Sequence, residues 1–428
     1  MSRTGGYVSD VRYPAFFYKE MQPLWLTTVA GFLGFAAPDV SGAFSLCELG
    51  CGAGVNLLVA AACHPGARFV GVDVNAADLH EAREAAAASG IDNVEFVQGD
   101  FASFATRNER CFDLVTCHGV WSWVAPEDRA LILETAARGL SAGGLLYLHY
   151  MCHPGSTDMT PLQHILHLCA HHMPGPSTRQ AQTGMKLLAQ MIEAGALADQ
   201  PAMRRHLANM ARRDPADLAH EFLTDHWQPQ HSADLHQQVG RSGLRYLGSA
   251  DVFNNLDVSL SIPGRLQPLI RRTAVPALAE TLKDVARNAH QRMDLFGKDA
   301  GPRPPSAIGA TVFRALPGAP PTGPVTFRTP IGPITGPEAI FTPLLERLAA
   351  GPASVAELAR LPVFADDAAA LLPSLQLLMM QQLAHPMVAT TPDAAERAAR
   401  LAHWFAGRGI ALRPIPECGT AVPQGTAD

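Results

Sequence analysis

The sequence predicts an α/β fold in which helices alternate with the strands of a mostly parallel sheet. Between Phe44 and Tyr150, short apolar runs alternate with Ala-rich helical stretches, which is typical of strand–helix units stacked into such a sheet. A glycine-rich turn also lies between the first strand and the first helix. The 428 residues suggest two or three hydrophobic cores, so accessory domains are expected beside this sheet.

The first part of the chain contains several candidate strands and one well-marked helix. Ala76–Ser89 is rich in Ala, Glu and Leu and stops at Gly90, a favourable residue just beyond a helix, so it is predicted as a helix. The candidate strands are Phe44–Leu49, Arg68–Val74, Val94–Gln98, Asp113–Cys117 and Leu145–Tyr150.

The composition changes after Tyr150. Pro161–Ala219 has amphipathic helical spacing and few β-branched residues, which predicts a mostly helical insertion or lid. Leu244–Gly248 and Ala310–Leu316 again have the pattern of strands, with a long helix predicted between them from about Leu266 to Arg292. We expect these two segments to be the last two strands of the same sheet.

A helical block follows a linker at residues 301–336 that is dense in Pro and Gly. Ser354 and Glu357 form the pattern of a capping box at the start of one helix. The block carries more Asp and Glu than Arg and has no Lys, which favours packing or protein contact over DNA binding. Three helices and a short extended stretch have the order of a winged-helix module. The candidate helices are Pro337–Ala350, Ser354–Leu361, Asp366–Leu383 and, further on, Ala394–Phe405.

Charge and hydropathy exclude several classes of function. The net charge of −6 argues against binding to nucleic acid, which needs a basic surface. No run of about 18 apolar residues occurs and no secretory signal pattern is present, so we expect a cytoplasmic protein without a membrane span. The 8 cysteines are scattered without a C-x-x-C pair, which is typical of reduced thiols in a core.

The main functional signal is the run Glu48–Gly54, which reads Glu-Leu-Gly-Cys-Gly-Ala-Gly. Its glycines allow a sharp turn and the close approach of a ligand. A nicotinamide or flavin fingerprint, G-x-G-x-x-G, fails because Val55 or Leu57 stands in the last position. The charge of Glu48 would repel a pyrophosphate but not a cationic sulfonium.

Two further acids follow the next strands at the same edge of the predicted sheet. Asp73 ends the second strand, where an acid takes both hydroxyls of an adenosine ribose, and Val74 can pack on the adenine. Asp100 follows the third strand, where it can accept the adenine amino group, and Phe101 can stack on the ring. Together with Glu48, these acids predict one pocket for a positively charged nucleoside.

This combination resembles the cofactor motifs of Rossmann-like class I methyltransferases, E-x-G-x-G-x-G followed by acids after strands two and three. The resemblance implies S-adenosylmethionine as cofactor, with Glu48 at its methionine part, Asp73 at its ribose and Asp100 at its adenine. The expected cofactor contacts are Tyr13, Glu48, Gly50, Cys51, Gly52, Asn56, Asp73, Val74, Asp100, Phe101 and His118.

A narrower resemblance begins after the fourth strand. The runs His118–Val124 and Tyr150–Gly155 are similar to those of bacterial methyltransferases that carry a methyltransferase regulatory domain. Agreement continues at Tyr13–Pro14, His220–Leu223 and Gly243–Ala250. The best studied members are similar to bacterial protein-lysine methyltransferases. The resemblance therefore implies methylation of lysine side chains in a protein or peptide substrate.

The changes in composition along the chain, together with this resemblance, predict four regions. They are a methyltransferase core with an N-terminal helix at 1–156, a helical insertion or lid at 157–225, a regulatory region that completes the core sheet at 226–318, and a winged-helix-like domain at 325–428.

Substrate identity is the least transferable part of this resemblance. His149, Met151 and Ser156 depart from the family pattern near the expected substrate mouth, so a small-molecule or peptide acceptor stays open. A cofactor-sensing or scaffolding protein is a third alternative, because much of the chain lies outside the core.

The candidate catalytic residues are His118, Trp121 and Tyr150. Methyl transfer is an in-line displacement, so the enzyme mainly holds the acceptor and the methyl group aligned, about 3–3.5 Å apart. A lysine acceptor must first lose its proton, which a desolvating aromatic pocket favours. In an extended segment, Trp121 and Trp123 would share one side, either facing the cofactor or packing on the sheet. His118 can orient the cofactor, accept a proton through water, or be structural.

Histidines between residues 149 and 172 raise the question of a metal site. His164, His167 and His171 would share one helix face. Asp158 is the only acid near them in the sequence, and the family resemblance implies no metal. We therefore predict no metal site.

Overall fold

The computed structural model describes residues 3–4, 6–8 and 10–424. Its first strands, β1 (Arg3–Thr4) and β2 (Tyr7–Val8), form a hairpin. The strands of a central seven-stranded sheet are β3 (Ser45–Leu49), β4 (Arg68–Asp73), β5 (Val94–Gln98), β6 (Phe112–Cys117), β7 (Leu140–Met151), β8 (Arg245–Ser249) and β9 (Gln291–Gly297). Their order is β5-β4-β3-β6-β7-β9-β8, and β9 runs antiparallel to both of its neighbours. The predicted α/β fold with a mostly parallel sheet is confirmed.

The helices fall into two groups along the chain. Those before residue 225 are α1 (Pro23–Phe32), α2 (Val55–Cys63), α3 (Ala76–Ser89), α4 (Phe101–Arg107), α5 (Pro126–Gly139), α6 (Thr160–His172), α7 (Ser177–Glu193), α8 (Pro201–Met210) and α9 (Pro215–Phe222). Those after it are α10 (Ser232–Arg241), α11 (Val258–Ser261), α12 (Gln267–Arg271), α13 (Pro276–Arg287), α14 (Pro305–Gly309), α15 (Glu338–Ala349), α16 (Val355–Leu358), α17 (Pro362–Asp366), α18 (Leu371–Met380) and α19 (Pro392–Gly407).

Both faces of the central sheet are buried under helices. Residues of α1, α2 and α3 pack on one face, and residues of α4, α5 and α10 pack on the other. Local signals set the helix ends: the Asn75 side chain accepts hydrogen bonds from the backbone at the start of α3, and Gly90 ends α3 with a φ of +68°. The predicted helix at Ala76–Ser89 is confirmed.

The segment predicted as a helical insertion contains α6 to α9. Leu166, Ala181 and Phe222 of these helices form a hydrophobic core that also includes Val8 and Trp123. The insertion therefore packs against the N-terminal hairpin and against the segment that follows β6.

The end of the central sheet differs from the prediction. Leu244–Gly248 is present as β8, but Ala310–Leu316 lies in a separate sheet of the C-terminal region, and β9 takes the place assigned to it. The predicted helix Leu266–Arg292 is also wrong in extent. It is divided into α12 and α13, and α13 ends at Arg287, just before Asn288, whose φ is +49°.

A buried charge network holds β9 against α13. Arg292, which is 1% exposed, lies 2.7 Å from Asp284 and 3.0 Å from Asp294. A third carboxylate, that of Glu280, lies 3.1 Å from the same guanidinium. Helix α13 thus turns charged residues inward and leaves Leu278 half-exposed on its outer side. These charges give β9 a polar sequence, so its hydropathy does not reveal a buried strand.

The C-terminal region contains short strands that form one three-stranded sheet and two two-stranded hairpins. They are β10 (Val312–Ala315), β11 (Thr326–Thr329), β12 (Gly332–Thr335), β13 (Ala353–Ser354), β14 (Ala384–Met387), β15 (Leu412–Ile415) and β16 (Thr420–Pro423). The predicted capping box is confirmed, because the Glu357 backbone N–H donates to Ser354 Oγ and the Glu357 side chain accepts from the Ser354 backbone. Helix α19 lies against α2 and α3, where Arg397 forms an ion pair with Asp92 at 2.7 Å.

Two of the regional predictions stay predictions: the four domain boundaries and the winged-helix identity of the C-terminal block. The helices α15, α16 and α18 do fall in the ranges predicted for that block. Within the described part of the chain, every helix is too short or too polar to span a membrane.

Candidate cofactor and substrate site

A cavity of about 330 Å³ lies at the carboxyl ends of β3, β4, β5 and β6. This is the edge of a parallel sheet at which ligands bind in open α/β folds. It is lined by every residue predicted to contact the cofactor, namely Tyr13, Glu48, Gly50, Cys51, Gly52, Asn56, Asp73, Val74, Asp100, Phe101 and His118. The structure therefore brings the three acids into one pocket, as the sequence analysis expects.

The glycine turn between β3 and α2 depends on the absence of side chains. Gly50, Gly52 and Gly54 all have positive φ values, of 78°, 52° and 69°. A Cβ on Gly50 would lie 2.3 Å from Cγ2 of Val120, which leaves no room for a methyl group. The turn is anchored to β4, because the backbone N–H of Gly50 donates to the Val72 carbonyl at 2.8 Å. The result is a rigid cradle whose backbone faces the cavity.

Glu48 and Asp73 lie side by side under this turn. Glu48 is 5% exposed, and burial together with the Asp73 carboxylate raises the pKa of Glu48 to about 8. Burial also raises the pKa of Asp73, although Asp73 accepts hydrogen bonds from the backbone N–H groups of Gly52 at 2.8 Å and Asn75 at 2.9 Å. Two close carboxyls with little water around them favour a positively charged ligand.

Asp100 stands at the other end of the cavity and is exposed. It caps α4 by accepting a hydrogen bond from the Ser103 backbone N–H at 2.7 Å, and this bond lowers its pKa. Phe101 and Val74 line the cavity beside it, and Val74 is 37% exposed. This end thus combines an ionised acceptor with apolar surface.

His118 is held as a neutral ring at the wall of the cavity. Its Nδ1 lies 2.7 Å from the Tyr147 hydroxyl. Its ring stacks on His149 with a centroid distance of 4.0 Å and lies against the tilted ring of Tyr18 at 3.7 Å. Burial and the neighbouring His149 lower the pKa of His118 well below its ordinary value. The ring is therefore fixed in place and uncharged at neutral pH.

Two of the predicted catalytic residues, Trp121 and Tyr150, lie outside the cavity. Both are fully buried: the Trp121 indole donates to Gln230, and the Tyr150 hydroxyl donates to Asp294 at 2.7 Å. The segment Trp121–Trp123 is a 3₁₀ turn and not an extended stretch, so its two indole rings point to different sides.

Strand alternation explains the position of Tyr150. Neighbouring residues of β7 face opposite sides of the sheet, so Tyr147 and His149 lie on the side of His118, and Tyr150 faces the other side. Trp123 does line the cavity. The prediction of catalytic roles for Trp121 and Tyr150 is corrected accordingly.

An aromatic wall that was not predicted from the sequence also lines the cavity. It consists of Tyr7, Phe16, Tyr18 and His220, with Tyr13 packed edge-on against His220 at a centroid distance of 5.2 Å. The density of aromatic residues in the first eighteen positions was a signal that could have pointed to this wall.

A carboxyl group lies behind this wall. The Tyr13 hydroxyl donates to Glu221 at 3.5 Å, and the Arg213 guanidinium lies 4.0 Å from the same oxygen. The Glu221 backbone carbonyl accepts a hydrogen bond from the Trp123 indole at 3.1 Å. Burial raises the pKa of the Glu221 side chain to about 7, with Arg213 acting in the opposite direction. Glu221 can therefore hold or release a proton near neutral pH.

Comparisons with known proteins agree with this geometry. Residues 41–203 match the model of a methyltransferase domain, and residues 214–298 match that of a predicted methyltransferase regulatory domain. An uncharacterized protein of Synechocystis sp. is 26% identical over 366 residues, which are 84% of this chain and 72% of the relative. A trans-aconitate 2-methyltransferase of Paracidovorax citrulli is 36% identical over 111 residues, which are 26% of this chain and 40% of that enzyme.

A solved structure shares the fold of most of the chain. PKMT2 from Rickettsia typhi in complex with AdoHcy matches 88% of this chain and 78% of its own, with a TM-score of 0.68 and 19% identity. The chain thus carries a class I methyltransferase domain followed by a methyltransferase regulatory domain. It is an enzyme, an S-adenosylmethionine-dependent methyltransferase, as the sequence predicts.

Proposed function

We propose that this methyltransferase adds methyl groups to lysine side chains of a protein substrate. The observation that carries the proposal is Glu221, a carboxyl group poised to titrate near neutral pH behind a wall of tyrosines. A lysine ammonium needs such surroundings, because it must be attracted as a cation and then lose its proton before it can react. The fold shared with PKMT2, a protein lysine methyltransferase, supports the same choice.

In this proposal the cofactor occupies the cavity under the glycine turn. The residues fit such a ligand, because the backbone of the glycine turn lines the cavity and the buried acids suit a cation. Glu48 faces the methionine part, Asp73 the ribose hydroxyls, and Asp100 the adenine amino group. Bound S-adenosylmethionine supplies the methyl group as an electrophile. The protein contributes position, exclusion of water and control of one proton.

The tyrosines of the aromatic wall and Glu221 act on the lysine nitrogen. The faces of Tyr13 and Tyr18 attract the ammonium and strip it of water, which lowers its pKa from about 10.4. Glu221 does not line the cavity, so it receives this proton through the Tyr13 hydroxyl: Tyr13 accepts the proton from the nitrogen as it passes its own to Glu221, and the nitrogen keeps a lone pair free to attack. Neutral His118, fixed by Tyr147, adds no positive charge that would oppose the approach of the ammonium.

The proposal is tested with purified enzyme, labelled cofactor and cell extract. We expect label in protein, and mass spectrometry should locate methyl groups on lysine Nζ. Label found solely in small molecules would overturn the protein substrate and favour a small-molecule acceptor instead.

The role of Glu221 is tested by replacing it with Gln. We expect kcat at about pH 7 to fall by roughly 10²-fold, the range typical for loss of a general base, with cofactor affinity unchanged. Wild-type activity should rise with pH through about 7, where Glu221 ionises, and this rise should be absent from the variant. Glu193→Gln, the same change at an exposed site of α7, is the matched control and should leave both properties unchanged. An unaltered pH profile in Glu221→Gln would contradict the assignment.

A further inference from the structure

Apolar side chains face solvent along the outer side of α12 and α13. Val275 precedes α13, and Leu278 and Val285 follow at spacings of three and seven residues, which places the three on one side of a helix. Together with Leu269 of α12 we call them the outer stripe. Their exposed fractions lie between 50% and 58%, and they are the most exposed large apolar side chains among the described residues.

The fold fixes the outer stripe in this exposed position. On the opposite side of α13, Glu280 and Asp284 lie 3.1 and 2.7 Å from the buried Arg292 guanidinium. Arg287, also buried, donates to the Ser261 carbonyl at 3.0 Å. Rotating α13 to bury its apolar side would leave these charges unpaired, at a high cost in stability. The helix therefore presents its apolar side outward permanently.

Arginines stand directly beside the outer stripe. Residues 264–272 form one continuous helical stretch, in which Arg265 lies four residues before Leu269 and Arg272 three residues after it. Residues at these spacings are neighbours on a helix surface. Both arginines are exposed, and the described part of the chain places no carboxylate within ion-pair distance of either. A third exposed arginine, Arg271, lies 3.3 Å from Asp257.

The acids of this segment are turned away from solvent. Between residues 258 and 290 the sequence has two, Glu280 and Asp284, and both face Arg292. A chain with a net charge of −6 thus presents exposed positive charge next to its most exposed apolar side chains. A ligand for this face has to be apolar in part and negatively charged in part.

We propose that the outer stripe and its arginines bind the surface of a membrane that contains anionic phospholipids. A helix that lies on a membrane without crossing it places apolar side chains between the headgroups and basic side chains at the lipid phosphates. None of the residues of the outer stripe lines the cofactor cavity, so the bound enzyme keeps its reaction site open. The proposal does not depend on which acceptor the enzyme methylates.

A second copy of this chain fits the same face less well. In a two-fold dimer a surface meets its own copy, so Arg265 and Arg272 would be brought towards the same arginines of the partner. The area is also small: the four side chains expose roughly a few hundred Å², whereas a stable dimer buries about 800 Å² on each partner. A lipid surface has the opposite charge and no minimum area.

The proposal is tested by sedimenting the full chain with vesicles of phosphatidylcholine that contain about one third phosphatidylglycerol. We expect binding that weakens at least about tenfold in pure phosphatidylcholine vesicles and that falls with added salt, which screens the arginines. The double variant Leu278→Gln, Val285→Gln should bind at least about tenfold more weakly. The double variant Arg265→Gln, Arg272→Gln should lose about thirtyfold, at about fivefold for each arginine.

The matched control is Leu187→Gln, the same change at an exposed leucine of α7 outside the outer stripe, which should bind vesicles as the wild type does. Circular dichroism checks that each variant is folded, which we expect because Leu278 and Val285 are half-exposed. Equal vesicle binding by Leu187→Gln and the Leu278, Val285 double variant would overturn the proposal. A wild type that stays in the supernatant would also overturn it, and a dimer that the double variant dissociates would then assign this face to a second copy.

Discussion

Replacing Glu48 with Gln should stabilise the enzyme in the absence of cofactor and at the same time weaken cofactor binding. The Glu48 carboxyl is 5% exposed, and burial together with Asp73 raises its pKa from 4.5 to about 8. Folding at pH 7 therefore takes up a proton that the unfolded chain has released. At about 1.4 kcal/mol per pH unit over roughly 2.5 units, this costs about 3.5 kcal/mol, which a neutral Gln avoids.

The pH dependence gives the sign of this effect. The unfolded Glu48 loses its proton above pH 4.5, and the folded one loses it only above about pH 8. Between these values, each pH unit lowers the free energy of unfolding of the wild type by about 1.4 kcal/mol relative to Glu48→Gln. The difference should vanish below pH 4.5 and become constant above about pH 8. Urea unfolding at several pH values in this window measures it.

Folding without cofactor favours a neutral group at position 48, but cofactor binding should favour the ionised Glu48 carboxylate, because the bound cofactor carries a positive charge. Binding to the wild type near pH 7 should release up to one proton, which calorimetry detects in buffers of different ionisation enthalpy. Glu48→Gln should bind more weakly and release less. Glu193→Gln, at an exposed position, should match the wild type in both experiments. A Glu48→Gln variant that is destabilised equally at pH 5 and pH 8 would refute the reasoning.

Three further predictions concern the cradle and the core. Gly50→Ala should weaken cofactor binding by about 2–4 kcal/mol in calorimetry, because a side chain there strains the left-handed backbone and comes within 2.3 Å of Val120. Gly34→Ala is the control: Gly34 also has a positive φ but faces open space, so its replacement should leave cofactor binding unchanged. Arg292→Met should lower the free energy of unfolding by about 3–5 kcal/mol in urea, since it leaves buried carboxylates uncompensated. Trp121→Phe should lower the free energy of unfolding by about 1–3 kcal/mol and keep kcat within about twofold, because the Trp121 indole donates to Gln230 away from the cavity. A large loss of kcat would show that Trp121 belongs to the reaction site after all.

The cofactor half of the site could be predicted because its signals are local. A glycine turn has to follow a strand, and an acid at the end of each neighbouring parallel strand has to lie at the same edge of the sheet. The strand ends were predicted well enough to place Glu48, Asp73 and Asp100 in one pocket. The structure adds how closely Val120 covers the turn, which no nearby residue in the sequence indicates.

The part of the site that is proposed to bind the acceptor lysine could not be predicted in the same way. A strand buried on both faces has no alternation of polar and apolar residues, so its sequence does not say whether Tyr147 or Tyr150 lies on the side of His118. Glu221 comes from the helical insertion, far along the chain from Tyr13, and only the packed structure brings the two together. The strand β9 escaped prediction for a related reason, because its buried charges are satisfied by partners on α13.

The position of β9 between β7 and β8 has a consequence for how the enzyme is made. β7 is complete when residue 151 has left the ribosome, but the strand that covers its free edge begins only at residue 291. During that interval the backbone groups along one side of β7 lack their final partners, and an open strand edge invites pairing with other chains. Shortened versions of the protein that stop before β9 should therefore depend on chaperones or precipitate, even though they contain the whole cofactor cavity.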